Sequence, residues 1–170
     1  MTRASRLGAL IFAILIMQVA VLPHVRLFGV VPDLGLLVAL AVGYHEGPEA
    51  GAVVGFVSGF AFDLFLETPL GLDALTYALV GYSIGVLESG LFRSPRWLPS
   101  FLGVVGGLVG GLLFIGIGVL VGLDAVKGTQ GIITISYAAL YDALLAPFVF
   151  FLVRRVLGSS DRVRDTWSMR

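Results

Sequence analysis

Long apolar runs separated by short polar breaks make up almost the whole chain, and the runs are too uniformly hydrophobic for helices that face water on one side. Residues 7–22, LGALIFAILIMQVAVL, follow Arg3 and Arg6 and form the first run. Pro23-His24-Val25-Arg26 is a poor cleavage site, so the run reads as a retained helix and not a removed signal. Asp33, directly after Pro32, suits the first turn of a second helix over 33–45, which ends at His45-Glu46-Gly47-Pro48. That helix covers only about 20 Å at 1.5 Å per residue. It is therefore expected to be buried in the bundle, to thin the bilayer locally, or to form half of a re-entrant pair. Further spans are predicted at about 49–66, 70–91, 99–123 and 132–153. Residues 1–158 then form one transmembrane domain, and 159–170 a flexible tail.

One stretch stands out from this pattern. Gly51, Gly55 and Gly59 recur at every fourth position of the third run, Gly81 and Gly85 recur on the fourth, and Pro69-Leu70-Gly71 joins the two arms. In lipid such small-residue rows let helix backbones approach closely. Asp63 continues the first row by one more step, so it is expected to face a neighbouring helix. The fifth run has still more glycine, at 103, 106, 107, 110, 111, 116 and 118.

Composition sharpens the class. The 170 residues are 58% hydrophobic and 13% charged, with a mean hydropathy of +1.00, whereas soluble domains carry about 25% charged residues. The chain is an all-α polytopic membrane protein, a six-helix bundle. No cysteine is present, which excludes thiol catalysis and disulfides, and the zero net charge gives nucleic acid no attracting field. Six spans put both termini on one side together with Arg3, Arg6, Arg93, Arg96, Arg154, Arg155, Arg162, Arg164 and Arg170, leaving Arg26 and Lys127 opposite. That asymmetry predicts cytoplasmic termini and an outward-facing 67–73 hairpin in the cytoplasmic membrane.

Catalytic signatures are missing: the sequence has no GxSxG, HExxH or Walker-type loop, and no cofactor is called for. His24 and His45 fall on opposite sides of the six-span arrangement, which argues against a histidine metal site. Ionisable groups at membrane depth are the remaining candidates. Asp63 and Glu67 are four residues apart and could act as an acid/base pair, but a structural role suits them better: Glu67 solvated, Asp63 bonding across a helix contact or capping the next helix. Asp142 lies near the bilayer midplane at about 15 Å along its helix. Gln18 is at similar depth, and a bond from Asp142 to Gln18 or to a backbone carbonyl would tie the first and sixth helices together. A proton pathway would need a longer polar chain than these supply. Phe56, Phe60, Phe62 and Phe65 read as core or lipid-facing bulk, and Trp97 and Trp167 as interface anchors.

These motifs in this order resemble the MreD family, the rod shape-determining membrane proteins of bacteria. The resemblance rests on Val31-Pro32-Asp33-Leu34, Gly47-Pro48, the Gly51/Gly55/Gly59/Asp63 row, Pro69-Leu70-Gly71, Leu79-Val80-Gly81-Tyr82 with Gly85, and Tyr141-Asp142-Ala143-Leu144-Leu145-Ala146-Pro147 before Arg154-Arg155. It departs at Asp142, where an uncharged amide is expected more often. It implies a non-enzymatic scaffold of the elongation machinery that binds MreC, a bitopic coiled-coil protein. Through MreC it would influence the glycosyltransferase and transpeptidase of lateral peptidoglycan synthesis and connect to MreB, with a homodimer also open. It implies a fold similar to the substrate-binding subunits of energy-coupling-factor transporters. In this reading the glycine-lined faces of helices three to five accept the partner's helix and the hairpin fixes its exit. The rivals are a transporter subunit of that same kind, and an ion or proton carrier dependent on Asp142.

Overall fold

The computed structural model describes residues 3–24, 29–65, 69–88, 97–122 and 129–158. The predicted Arg26, Glu67, Arg93, Arg96, Lys127 and Trp167 features, and the 159–170 tail, lie outside these residues. The fold is all-α, with six α-helices among the described residues: α1 (Arg3–Ile16), α2 (Leu34–Glu46), α3 (Pro48–Asp63), α4 (Leu72–Glu88), α5 (Leu98–Leu120) and α6 (Thr129–Leu157). A π-helical turn at Met17–Val21 and a 3₁₀ turn at Leu22–His24 extend α1.

α2 is the centre of the molecule. Every residue from Leu34 to Tyr44 is buried, and the helix packs against α1, α3, α4, α5 and α6. A helix that is apolar all round has no face to give to water, and here its neighbours cover it from Leu34 to Tyr44, leaving only His45 and Glu46 exposed. Its boundaries are set by chemistry at both ends. The Asp33 carboxylate accepts from Leu36 N–H at 3.0 Å, and Gly47, at φ 93° and ψ 178°, turns the chain out of the helix. Only glycine enters that backbone region readily, and Pro48 then supplies the fixed φ and missing N–H that suit a first helical position.

α3 and α4 form the tightest pair. A Cβ on Gly55 would run into the Tyr77 carbonyl, one on Gly59 into the Asp73 carbonyl, one on Gly51 into the Gly81 carbonyl and one on Gly85 into the Pro48 nitrogen. The glycine rows are therefore consumed inside the molecule. This corrects the expectation that they line a face for a partner's helix, because in each case the chain's own backbone already occupies the space. The α5 glycines behave alike: Gly106 and Gly110 receive Leu40 and Leu36 of α2, while Gly103, Gly107 and Gly111 sit against Ala143, Ala139 and Ile135 of α6. Gly116 meets nothing within 4 Å.

Three helical stretches are long and apolar enough to cross a membrane, Ser5–His24, Leu98–Leu120 and Ile133–Leu157. α2, α3 and α4 are shorter, at 13, 16 and 17 residues. The outer faces of the bundle are strongly apolar: Phe56 and Phe60 stack with ring centroids 6.2 Å apart while both are exposed, and Phe65 is exposed too. Phe62 is the inward member of the predicted aromatic set, 3% exposed and edge-on to Tyr77. Trp97 packs edge-on against Phe101 at the start of α5.

Candidate functional site

The buried polar groups gather at the starts of α2 and α4, which the fold brings side by side. Asp33 is the pivot. Its backbone N–H donates to Asp142 Oδ1 of α6 at 2.7 Å, and its side chain accepts from the Tyr77 hydroxyl of α4 at 2.5 Å and from Leu36 N–H. Gln18 of the π turn grips the same short segment, its Nε2 donating to the Pro32 carbonyl at 2.7 Å and its Oε1 accepting from Leu34 N–H at 3.2 Å. Residues 32–34 thus tie α1, α2, α4 and α6 together. Asp142 bonds neither Gln18 nor a backbone carbonyl, the two partners expected for it: it accepts from the Asp33 N–H, while Gln18 bonds the residues on either side of Asp33. The polar link between α1 and α6 passes through the backbone at the start of α2, beside the direct packing of the two helices.

Asp63 forms the second half of the site. Its Oδ2 accepts from Gly71 N–H at 2.9 Å and Ala74 N–H at 3.2 Å, and its Oδ1 accepts from Asp73 N–H at 3.2 Å. The first amides of a helix have no partners inside it, and the last residue of α3 takes those of Asp73 and Ala74 together with the Gly71 amide just before α4. Carboxylates favour that position because the helix N-terminus carries partial positive charge. Gly71, at φ 97°, makes the sharp turn that points those amides back at Asp63. Pro69 closes the same turn, its carbonyl accepting from Leu72 N–H at 3.2 Å.

α4 joins the two halves, its Asp73 amide bonding Asp63 and its Tyr77 hydroxyl bonding Asp33. Exposure is 2% for Asp63, 6% for Asp73 and 1% for Asp142, so these acids are interior groups. No Lys or Arg occurs among the described residues from 7 to 153, so no basic side chain there accompanies the acids. Thr76, 1% exposed, keeps a hydroxyl without a hydrogen-bond partner one turn beyond Asp73. Among the described residues, no group of three His, Asp or Glu side chains is arranged to hold a metal.

Chemically, this arrangement fixes helices. Both Asp63 oxygens accept from amides, and these three bonds fix the carboxylate at the start of α4. Both Asp33 oxygens are likewise engaged. Of the predicted residues, Gln18, Asp63, Gly71 and Asp142 belong to the network, and Gly51, Gly55, Gly59, Gly81 and Gly85 pack the helices that carry it. Asp33 and Tyr77 are members that sequence reasoning missed. An acid opening a wholly apolar helix was the available signal for Asp33, while Tyr77, an ordinary aromatic in an apolar run, gave none.

No curated protein and no solved structure matches the chain. Residues 5–156 match the family described as rod shape-determining protein MreD, a match that runs from the first helix through the last and takes in every residue of the junction. The chain belongs to the MreD family.

Proposed function

We propose that this protein is a multi-pass scaffold of the cytoplasmic membrane that holds together the bacterial rod complex, binding the bitopic protein MreC and so helping to direct lateral peptidoglycan synthesis. The single observation that carries this reading is the family match across residues 5–156. It is supported by a polar network whose members are spent on one another and on helix ends, as a rigid support requires. MreB and the synthetic enzymes would be reached through MreC. Both termini are assigned to the cytoplasm from the distribution of arginine.

Because the glycine faces are covered from within, the partner-binding surface is proposed to be the exposed apolar side of α3 and α4, including Val53, Phe56, Phe60, Leu79 and Tyr82. Photocrosslinking amino acids at Phe56 and Tyr82 in growing cells provide the test. Capture of MreC is the expected result, and adducts with lipid alone or with proteins outside the elongation machinery would overturn the assignment. A transporter-subunit reading would require polar groups free to meet a ligand, and most of those at the junction are engaged by the protein itself.

A further inference from the structure

The π turn in α1 has a geometric purpose. Leu10, Ile14, Gln18 and Leu22 are spaced by four, and in an α-helix each such step overshoots a full turn by about 40°, so the stripe would drift away from the bundle. A π turn takes more residues per turn and takes back part of that drift. The result is visible in burial: Leu10, Ile14 and Leu22 are 7%, 4% and 8% exposed, whereas Met17, Val19 and Val21 beside Gln18 are 36%, 44% and 50% exposed. The widened turn keeps Gln18 aimed at the Pro32 carbonyl and the Leu34 amide.

Leu10 and Ile14 also pack α1 onto the bundle by apolar contacts, with Leu7, Ile11 and Leu15 partly buried. In a bilayer such contacts give weak preference for protein over lipid, since lipid tails are as apolar as leucine. We propose that α1 is a displaceable helix latched by the Gln18 carboxamide, and that its release is transmitted to the junction. The path is physical: Gln18 holds both flanks of Asp33, whose amide bonds Asp142 and whose carboxylate bonds Tyr77. Freeing α1 therefore loosens the grip of α4 and α6 on the start of α2.

The chain has no cysteine, so label pairs can be introduced freely. Spin labels at Ala13→Cys and Val105→Cys report α1 against α5, and labels at Val57→Cys and Val105→Cys report the bundle itself, all in nanodiscs. Gln18→Met keeps the side chain's length without its hydrogen bonds, and Gln18→Asn, shorter by one methylene, serves if the first variant folds poorly. The expected result is a rise on the order of tenfold in the displaced α1 population, with the Val57–Val105 distances unchanged. Hydrogen exchange at Leu34 and Leu36 should quicken in the same variant while α3 stays protected. An unchanged Ala13–Val105 distribution overturns the latch, equal broadening of both pairs reduces Gln18 to general stability, and displaced α1 with unaltered exchange at Leu34 and Leu36 overturns the transmission.

Discussion

Asp63 satisfies, with one side chain, amides that most helix starts leave to water or to a cap of their own. Replacing it with Ala strips the acceptor from Gly71, Asp73 and Ala74 together in a buried place. The expected loss is about 2–4 kcal/mol, from a lost cap plus amides left unpaired. Asn keeps one acceptor oxygen, so Asp63→Asn should fall between wild type and Asp63→Ala in thermal unfolding of the purified protein in nanodiscs. Tyr77→Phe removes only the hydroxyl bonded to Asp33, with an expected loss of about 1–2 kcal/mol in the same measurement. Asp63 was legible in the sequence because the glycine row at 51, 55 and 59 runs straight into it. Asp33 was legible only as a helix start: its partners Tyr77 and Asp142 are 44 and 109 residues away, and no local periodicity encodes a meeting at that separation.

Among the helices, the α3–α4 pair and the C-terminal end of α5 make opposite demands on glycine. Gly55→Ala places a methyl into the Tyr77 carbonyl, which is backbone and cannot turn aside, so the two helices must separate. Gly116→Ala meets open space and gains the ordinary helix preference of alanine, about 1 kcal/mol. The first variant should lower the unfolding temperature and the second should raise it slightly, both read by intrinsic fluorescence or circular dichroism in the same nanodiscs. The number and order of helices could be read from the apolar runs, because polar breaks such as Gly47-Pro48 and Pro69-Leu70-Gly71 are strong punctuation. Which glycines face which neighbour could not, since a row at spacing four says that something approaches closely and leaves the approaching surface unnamed. The π turn escaped for a similar reason, as apart from Gln18 the sequence of Met17–Val21 continues the apolar run of the helix it follows, and one polar residue does not signal a widened turn.

At the scale of the whole molecule, the sidedness argued from arginine can be tested directly. A reporter that is active only outside the cytoplasm should be active when fused after Gly71 and silent when fused after Gly158. A companion reporter active only inside should give the opposite pattern, and agreement of both at the two sites would establish the proposed orientation. α2 carries a consequence for how the protein is made. At 13 residues it spans about 20 Å, against a hydrocarbon core of about 30 Å, so on leaving the ribosome it is too short to be held in the bilayer by its own length. Its settled position depends on helices synthesised after it, above all α3 and α4, and its last contacts come from α6 at the far end of the chain. Nascent chains stopped after Gly47 should leave α2 accessible to water-soluble cysteine reagents, with protection appearing only once α4 has emerged. The segment at the heart of the finished bundle would then be among the last to find its place.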